Sequence, residues 1–371
     1  MRAKWKATAR FRISSPGRHW ISGLMLSAAL TASYSVQAKE VFVDPLDLPA
    51  ASMKAVETKP LRTITNTGKR LVAAGENGLI VYSDDQGVSW TQASVPLSID
   101  FNDVHFSTEN VGWAAGHGAS IVNSQDGGKT WVKQLDGRDL QELITRYYRS
   151  GASGLSEDRA EAYLDAILNM TQPGAGQFFM GVWFDAKGQQ GYAVGPFGLI
   201  MGSEDGGATW QPLNTRIANN DLLHLTSIEE VDGRVLITGE RGHVWILDPA
   251  TQFFNAYETG YSGTLFGATG KAGVMLAYGL RGNVFRSVDG GKQWASVDNH
   301  FNTGIVAGTA LADGSMLLIS QSAQVAAIDP QGVQLTPVNI TNPSLFTGVV
   351  GIKDNQFALV GLNGVTTQSV R

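Results

Sequence analysis

Ser83-Asp84-Asp85-Gln86-Gly87-Val88-Ser89-Trp90 is the first of four stretches that spell S-x-D-x-G-x-x-W; the others are Ser124 to Trp131, Ser203 to Trp210 and Ser287 to Trp294. Four residue types held at fixed offsets and recurring four times define a repeat architecture, not a single site. Within each copy the short polar side chains can accept hydrogen bonds from backbone N–H groups two or three residues on and so close a turn. The glycine supplies a positive-φ position that a Cβ would disfavour. Apolar runs precede each copy (Leu79 to Val81, Ile121-Val122, Leu199 to Met201, Val284-Phe285) and a tryptophan closes it, so each unit reads as an antiparallel hairpin locked to its neighbour by a buried indole. Asp85, Asp126, Asp205 and Asp289, with Trp90, Trp131, Trp210 and Trp294, therefore take structural roles. Four equivalent carboxylates do not mark one catalytic acid.

A second signature precedes these motifs: a strand ending in Gly, a short loop, then Gly or Ala. It occurs at Gly75, Gly195, Gly239, Gly279 and Gly361, with looser copies at Gly116 and Ser320, and the successive intervals are 41, 79, 44, 40, 41 and 41 residues. The long interval holds an extra segment, Asp139 to Gly176, and removing it restores the period. Seven repeats of about 41 residues, each with room for four short antiparallel strands, predict an all-β, seven-bladed β-propeller. Repeats four and six replace the motif with Asp248-Pro249 and Asp329-Pro330, which still make turns. Repeat seven (Ser344 to Val370) has only three strands. The stretch between Val41 and Val56 is expected to supply the fourth and to close the ring.

The insert 139–176 breaks the β pattern. Leu140, Leu143, Ile144 and Tyr147, then Ala160, Tyr163, Leu164, Ile167 and Leu168, recur at helical spacing, with Ser156 as an N-cap and Pro173 beyond the end. A helical hairpin follows, on the same face as the Gly loops. The S-x-D-x-G-x-x-W turns lie on the other face.

Residues 1–38 carry six of the 28 Lys and Arg and no acid, ahead of an apolar run centred on Ile21 to Leu30. This pattern is that of a secretory signal, with Val36-Gln37-Ala38 predicting cleavage before Lys39; an uncleaved anchor and an organelle transit peptide are the competing readings. The propeller then occupies 39–371. All 33 acids remain in it, so its net charge is near −11 and nucleic acid is excluded as a natural partner. With no cysteine, an exported chain has neither a disulfide framework nor a thiol nucleophile.

The four motifs make the chain resemble the BNR-repeat propellers, in which they are called Asp boxes. That set includes sialidases, sortilin-like receptors and the photosystem II stability and assembly factors. Val111-Gly112-Trp113-Ala114-Ala115-Gly116 and Gly191-Tyr192-Ala193-Val194-Gly195, with Ser203 to Trp210, match the repeat pattern of the assembly factors. The likeness extends over about Pro60 to Arg371, apart from the helical insert. It implies an exported, periplasmic or lumenal, monomeric propeller without cofactor or metal. Such a propeller binds a protein client during assembly of a membrane complex and is at most peripheral to the membrane. The alternative is a sialidase-like glycoside hydrolase. Its F-R-I-P signature is imitated only by Phe11-Arg12-Ile13-Ser14 in the leader, and the available acids on the Gly-loop face are Glu76 and Glu240.

The candidate client-binding residues lie in the Gly loops: Arg241, Arg281, Phe197, His117 and Glu240. Arg241 and Arg281 hold the same loop position, and the resemblance implies an arginine-bearing face for client contact. They are expected to flank one groove near Phe197 and the insert. His105 and His224 read as matching positions that approach the central channel, with two ligands too few for a tight metal site.

Overall fold

In the computed structural model, which describes residues 43–170 and 177–370, every S-x-D-x-G-x-x-W motif closes its turn on the same serine and aspartate hydrogen bonds, and the indole N–H joins them in all copies but that of Trp210. In the second copy, Gly128 N donates to Ser124 Oγ (2.9 Å), Thr130 N donates to Asp126 Oδ1 (2.9 Å) and Trp131 Nε1 donates to Gly128 O (3.0 Å). Asp85 shows the electrostatic consequence. Hydrogen bonds from the Ser89 hydroxyl, the Ser89 N–H and Ser83 hold its carboxyl down at about 2. These carboxylates are exposed, so they organise the turn from outside while the serine hydroxyls are buried beneath it.

The strands form seven antiparallel sheets in a ring, six with four strands and one with three among the described residues. Blade 1 starts at Leu61–Asn66, blade 2 at Phe101–Phe106, blade 3 at Gly181–Phe184 and blade 4 at Leu225–Val231. Blade 5 starts at Leu265–Lys271, blade 6 at Ile305–Ala310 and blade 7 at Phe346–Gly351. Each starting strand is innermost. Between each pair of neighbouring blades lies one apolar cluster; that between blades 1 and 2 contains Val72, Val104, Ala114 and Trp131. Trp131 (4% exposed) and Trp210 (6%) are buried in such clusters, whereas Trp90 and Trp294 are only partly covered.

The Gly that ends the second strand of a blade is required by close approach. A Cβ on Gly116 would lie 2.1 Å from Asp100 O, and one on Gly239 2.4 Å from His224 O. The carbonyl just before the innermost strand occupies the space a side chain would need.

The insert forms α1 (Gly137–Arg149) and α2 (Glu157–Met170). Leu140, Ile144 and Tyr148 of α1 and Ala160, Leu164 and Ile167 of α2 are buried against Trp113, Phe184 and Trp210 of blades 2 and 3. The N-cap of α1 is Asp136, which accepts Arg138 N, while Ala160 N donates to Ser156 O at the start of α2. Pro173 and the whole leader, with its cleavage site and Phe11 to Ser14, fall outside the described residues.

Ring closure differs from the sequence expectation. Residues 43–56 form no strand; they cross the Gly-loop side of blades 2 and 1, with Ser98 N donating to Pro45 O and Ala50 N to Val95 O. Pro45 and Pro49 lack the N–H groups a ladder needs, and Leu46 finds its burial between blades 1 and 2. Val41 and Phe42 lie outside the described residues. Blades 7 and 1 instead meet face to face through Leu61, Ala73, Val81, Ala358 and Val360, joined by Thr347 Oγ1 donating to Leu61 O (2.9 Å).

Candidate functional site

The Gly loops carry the candidate residues at one recurring backbone position. Asn77, Phe197, Arg241 and Arg281 all adopt left-handed conformations, with φ of 54°, 55°, 54° and 59°. Each is followed by a glycine that is itself at positive φ, so the loop apex turns the side chain outward and the chain re-enters the blade at once. A non-glycine residue there costs on the order of 1–3 kcal/mol. Three consecutive blades therefore present Phe197, Arg241 and Arg281 at their apices.

Phe197 is 40% exposed, and its ring lies 4.6 Å from that of His224. His224 N in turn donates to Glu240 Oε2 (2.8 Å), so Glu240 fixes the start of blade 4 from within the loop. Arg241 pairs with Asp221 at 2.8 Å, both groups largely in solvent. Arg281 is exposed and has no ion pair or side-chain hydrogen bond among the described residues. Leu280 beside it is 38% exposed.

His117 lies apart, stacked on Phe178 with ring centroids 5.3 Å apart. Burial holds its imidazole below the usual range, against the pull of Asp100. Asp100 accepts Arg62 Nη2 (2.8 Å), and Arg62 also reaches Asn102 and Glu76. The face thus divides into two groups. One joins Phe197, His224, Glu240, Arg241 and Asp221; the other joins His117, Phe178, Asp100 and Arg62. Among the described residues Arg241 and Arg281 share no ion-pair partner, and the insert packs on blades 2 and 3, so the expected groove rests on the apex position that the two loops share.

The central channel is a cavity of about 610 Å³ lined by Asp103, His105, Glu229 and Tyr278 among others. Asp103 accepts Val104 N (2.8 Å) and Val182 N (2.9 Å), and burial raises its carboxyl to about 6. Glu229 accepts Ala268 N (3.2 Å); burial and then the neighbouring Asp103 charge push it up to about 8. His105 is kept neutral, its pKa lowered to about 4 by burial, with Nε2 donating to Phe184 O (2.9 Å). Of the two histidines read as matching, only His105 lines this channel. His224 precedes its strand and belongs to the Gly-loop face. No group of three or more metal-ligating side chains occurs among the described residues.

Sequence reading missed Asp103 and Glu229. Their signal was polar residues inside innermost strands: the third residue of the strand in blades 1, 2 and 4 is Thr63, Asp103 and Ser227, and Glu229 lies two further on. Glu76 and Glu240, the acids a hydrolase would need, are held by different partners, Arg62 and His224, and share no contact. On the opposite face Lys129 and Lys292 are solvated within the Asp-box turns.

Residues 82–151 match the family described as Photosynthesis system II assembly factor YCF48. The Photosystem II assembly protein Ycf48 of Thermosynechococcus vestitus is 37% identical over 84 residues, 22% of this chain and 23% of that protein. The match thus spans about a quarter of the relative's length. Among solved structures, YCF48 bound to D1 peptide superposes with a TM-score of 0.60 at 14% identity, over 87% of this chain and 99% of that one. YCF48 from Cyanidioschyzon merolae gives 0.59 at 15%, over 87% and 98%. The RRP9 WD40 repeats also give 0.60, at 10% identity over 87% and 99%, so these superpositions establish the propeller and not the partner. The chain is a seven-bladed BNR-repeat propeller similar to the photosystem II assembly factors.

Proposed function

We propose that the chain is an exported, non-enzymatic binding protein whose Gly-loop face holds an extended segment of a protein client during assembly or stabilisation of a membrane-associated complex. The observation that carries this reading is the left-handed apex shared by Phe197, Arg241 and Arg281 on three neighbouring blades. An exposed aromatic ring beside guanidinium groups suits a peptide with an apolar side chain next to a carboxylate, which arginine clamps with two parallel hydrogen bonds. The propeller of similar fold described as bound to D1 peptide supports a peptide as the client. The basic leader supports export, to the periplasm or, in a photosynthetic organism, the thylakoid lumen. The acidic body supports monomeric solubility and argues against nucleic acid.

Site-specific photocrosslinking in the native envelope tests this. A photoreactive residue at Phe197 is expected to capture one membrane-associated protein, and the same group at exposed Val288, in an Asp-box turn, is expected to capture none. Capture from Val288 alone would overturn the assignment of the face.

A further inference from the structure

Among the described residues, blade 7 ends on a strand with no outer neighbour strand. Its outermost strand, Gly364–Ser369, pairs on one side with Gln356–Gly361, and no fourth strand pairs with it among the described residues. Val370 N donates to Asn355 O, and the antiparallel alternation running back from that pair turns Gln368 and Thr366 inward. The N–H and C=O groups of Val365, Thr367 and Ser369 then point away from the sheet, and none of them has a hydrogen-bond partner among the described residues. At the upper end Glu57 O closes over Gly364, and the turn Val56–Thr58 lies against the start of the strand.

Four of the other six blades end on strands built to resist pairing, and those of blades 2 and 4, Val132–Leu135 and Phe253–Glu258, carry Lys133 and Glu258. Thr91–Gln92, Gln211–Pro212 and Ala295–Ser296 are two residues long, and Leu335–Val338 contains Pro337. Val365-Thr366-Thr367-Gln368-Ser369 has no proline and no charge. Beyond the turn at Glu57 it lacks the devices by which natural edges avoid an added strand.

We propose that this edge receives one extended peptide strand from a partner protein, independently of the Gly-loop face. The occupant follows from the recess. Blades 6 and 1 on either side carry a fourth strand, so the edge of blade 7 is set back by about one strand spacing, ~4.8 Å. Two copies brought rim to rim would leave their edges about two spacings apart, ~10 Å, too far to hydrogen-bond. A single peptide fits. Its side chains on one face meet the blade 1 side, where Thr367 touches the turn at Gly87 beneath Trp90; on the other they meet Gln368 and Thr341. An uncharged segment alternating β-branched apolar and hydroxyl side chains matches both.

Amide hydrogen exchange read by NMR on the full chain tests this, with a soluble synthetic peptide of alternating valine and threonine between terminal lysines as the probe. In the free chain Val365, Thr367 and Ser369 are expected to exchange freely while Thr366 and Gln368 are protected. Saturating peptide is expected to slow the first three at least about tenfold. Thr367→Pro removes one outward N–H from a position where an edge tolerates proline. It is expected to abolish the slowing at Val365 and Ser369 without lowering Tm. Ser369→Pro, at the strand end, gives a second variant should the first not fold. Protection of the three amides without peptide overturns the proposal, light scattering then assigning the cover to the chain itself if monomeric or to a second copy if dimeric. Failure of saturating peptide to protect them overturns it as well.

Discussion

The ring of Phe197 packs 4.6 Å from that of His224, which ties the apex of the blade 3 loop to the first residues of blade 4. An exposed aromatic is thereby held in one orientation by a neighbour that is itself fixed through its backbone to Glu240. Phe197→Ala is expected to leave stability within about 0.5 kcal/mol, as surface substitutions do, while lowering client binding. Thermal melts and client titration on one preparation separate the two effects.

The Asp-box turns are expected to divide into a strong and a weak component. Trp131→Ala removes a buried indole and should cost about 3–5 kcal/mol. Asp126→Ala removes an exposed carboxylate that caps the N–H groups of Lys129 and Thr130, and should cost about 0.5–2 kcal/mol, the range for losing a cap. Urea denaturation of both variants checks the order, and equal losses would show that the carboxylate does more than cap its turn.

Gly239→Ala places a methyl group 2.4 Å from His224 O and 2.8 Å from the buried Trp245 ring, so both backbone and indole must give way. The expected outcome is a loss of several degrees in Tm together with weaker client binding, because the displaced carbonyl belongs to the residue that supports Phe197. Gly273→Ala meets no atom within 4 Å and adds only the cost of its positive φ. It should leave binding unchanged.

Glu229 gives a pH signature. Its carboxyl titrates at about 8 in the folded chain against 4.5 for the ordinary group, because it is buried beside Asp103. Between those values the unfolded chain releases a proton that the folded chain retains, so stability falls as pH rises through that window. Glu229→Gln keeps an acceptor for Ala268 N and removes the titration. Its Tm should exceed that of the wild type near pH 8 and converge with it toward pH 5. Tyr278 and Asp103 face the same group, and relief of repulsion on Asp103 adds to the gain.

The ring of seven blades was legible because its determinants are local: a serine, a carboxylate and a glycine within five residues close a turn whatever surrounds them. The insert was legible for the same reason, through the helical spacing of Leu140, Ile144 and Leu164. Ring closure was not. Whether Val43 to Val56 forms a strand depends on burial between blades 1 and 2, which Leu46 obtains at long range. The surroundings of Arg241 and Arg281 were equally hidden, since a shared repeat position fixes the direction of a side chain and not its partners, and Asp221 pairs with Arg241 alone. Asp103 and Glu229 looked like ordinary polar residues of half-buried strands. Only the closed ring turns both carboxylates toward one channel.

Client binding divides the two faces of the propeller. Arg241→Glu with Arg281→Glu and, separately, Lys129→Glu with Lys292→Glu make equal charge reversals on the two faces, and client affinity is measured for each with Tm as the control. The arginine pair is expected to lose about 2–5 kcal/mol of binding if both contacts are buried on association, with Tm unchanged, and the lysine pair to bind as the wild type. Client binding retained by the arginine variant and lost by the lysine variant would place the working surface on the Asp-box face and contradict the account.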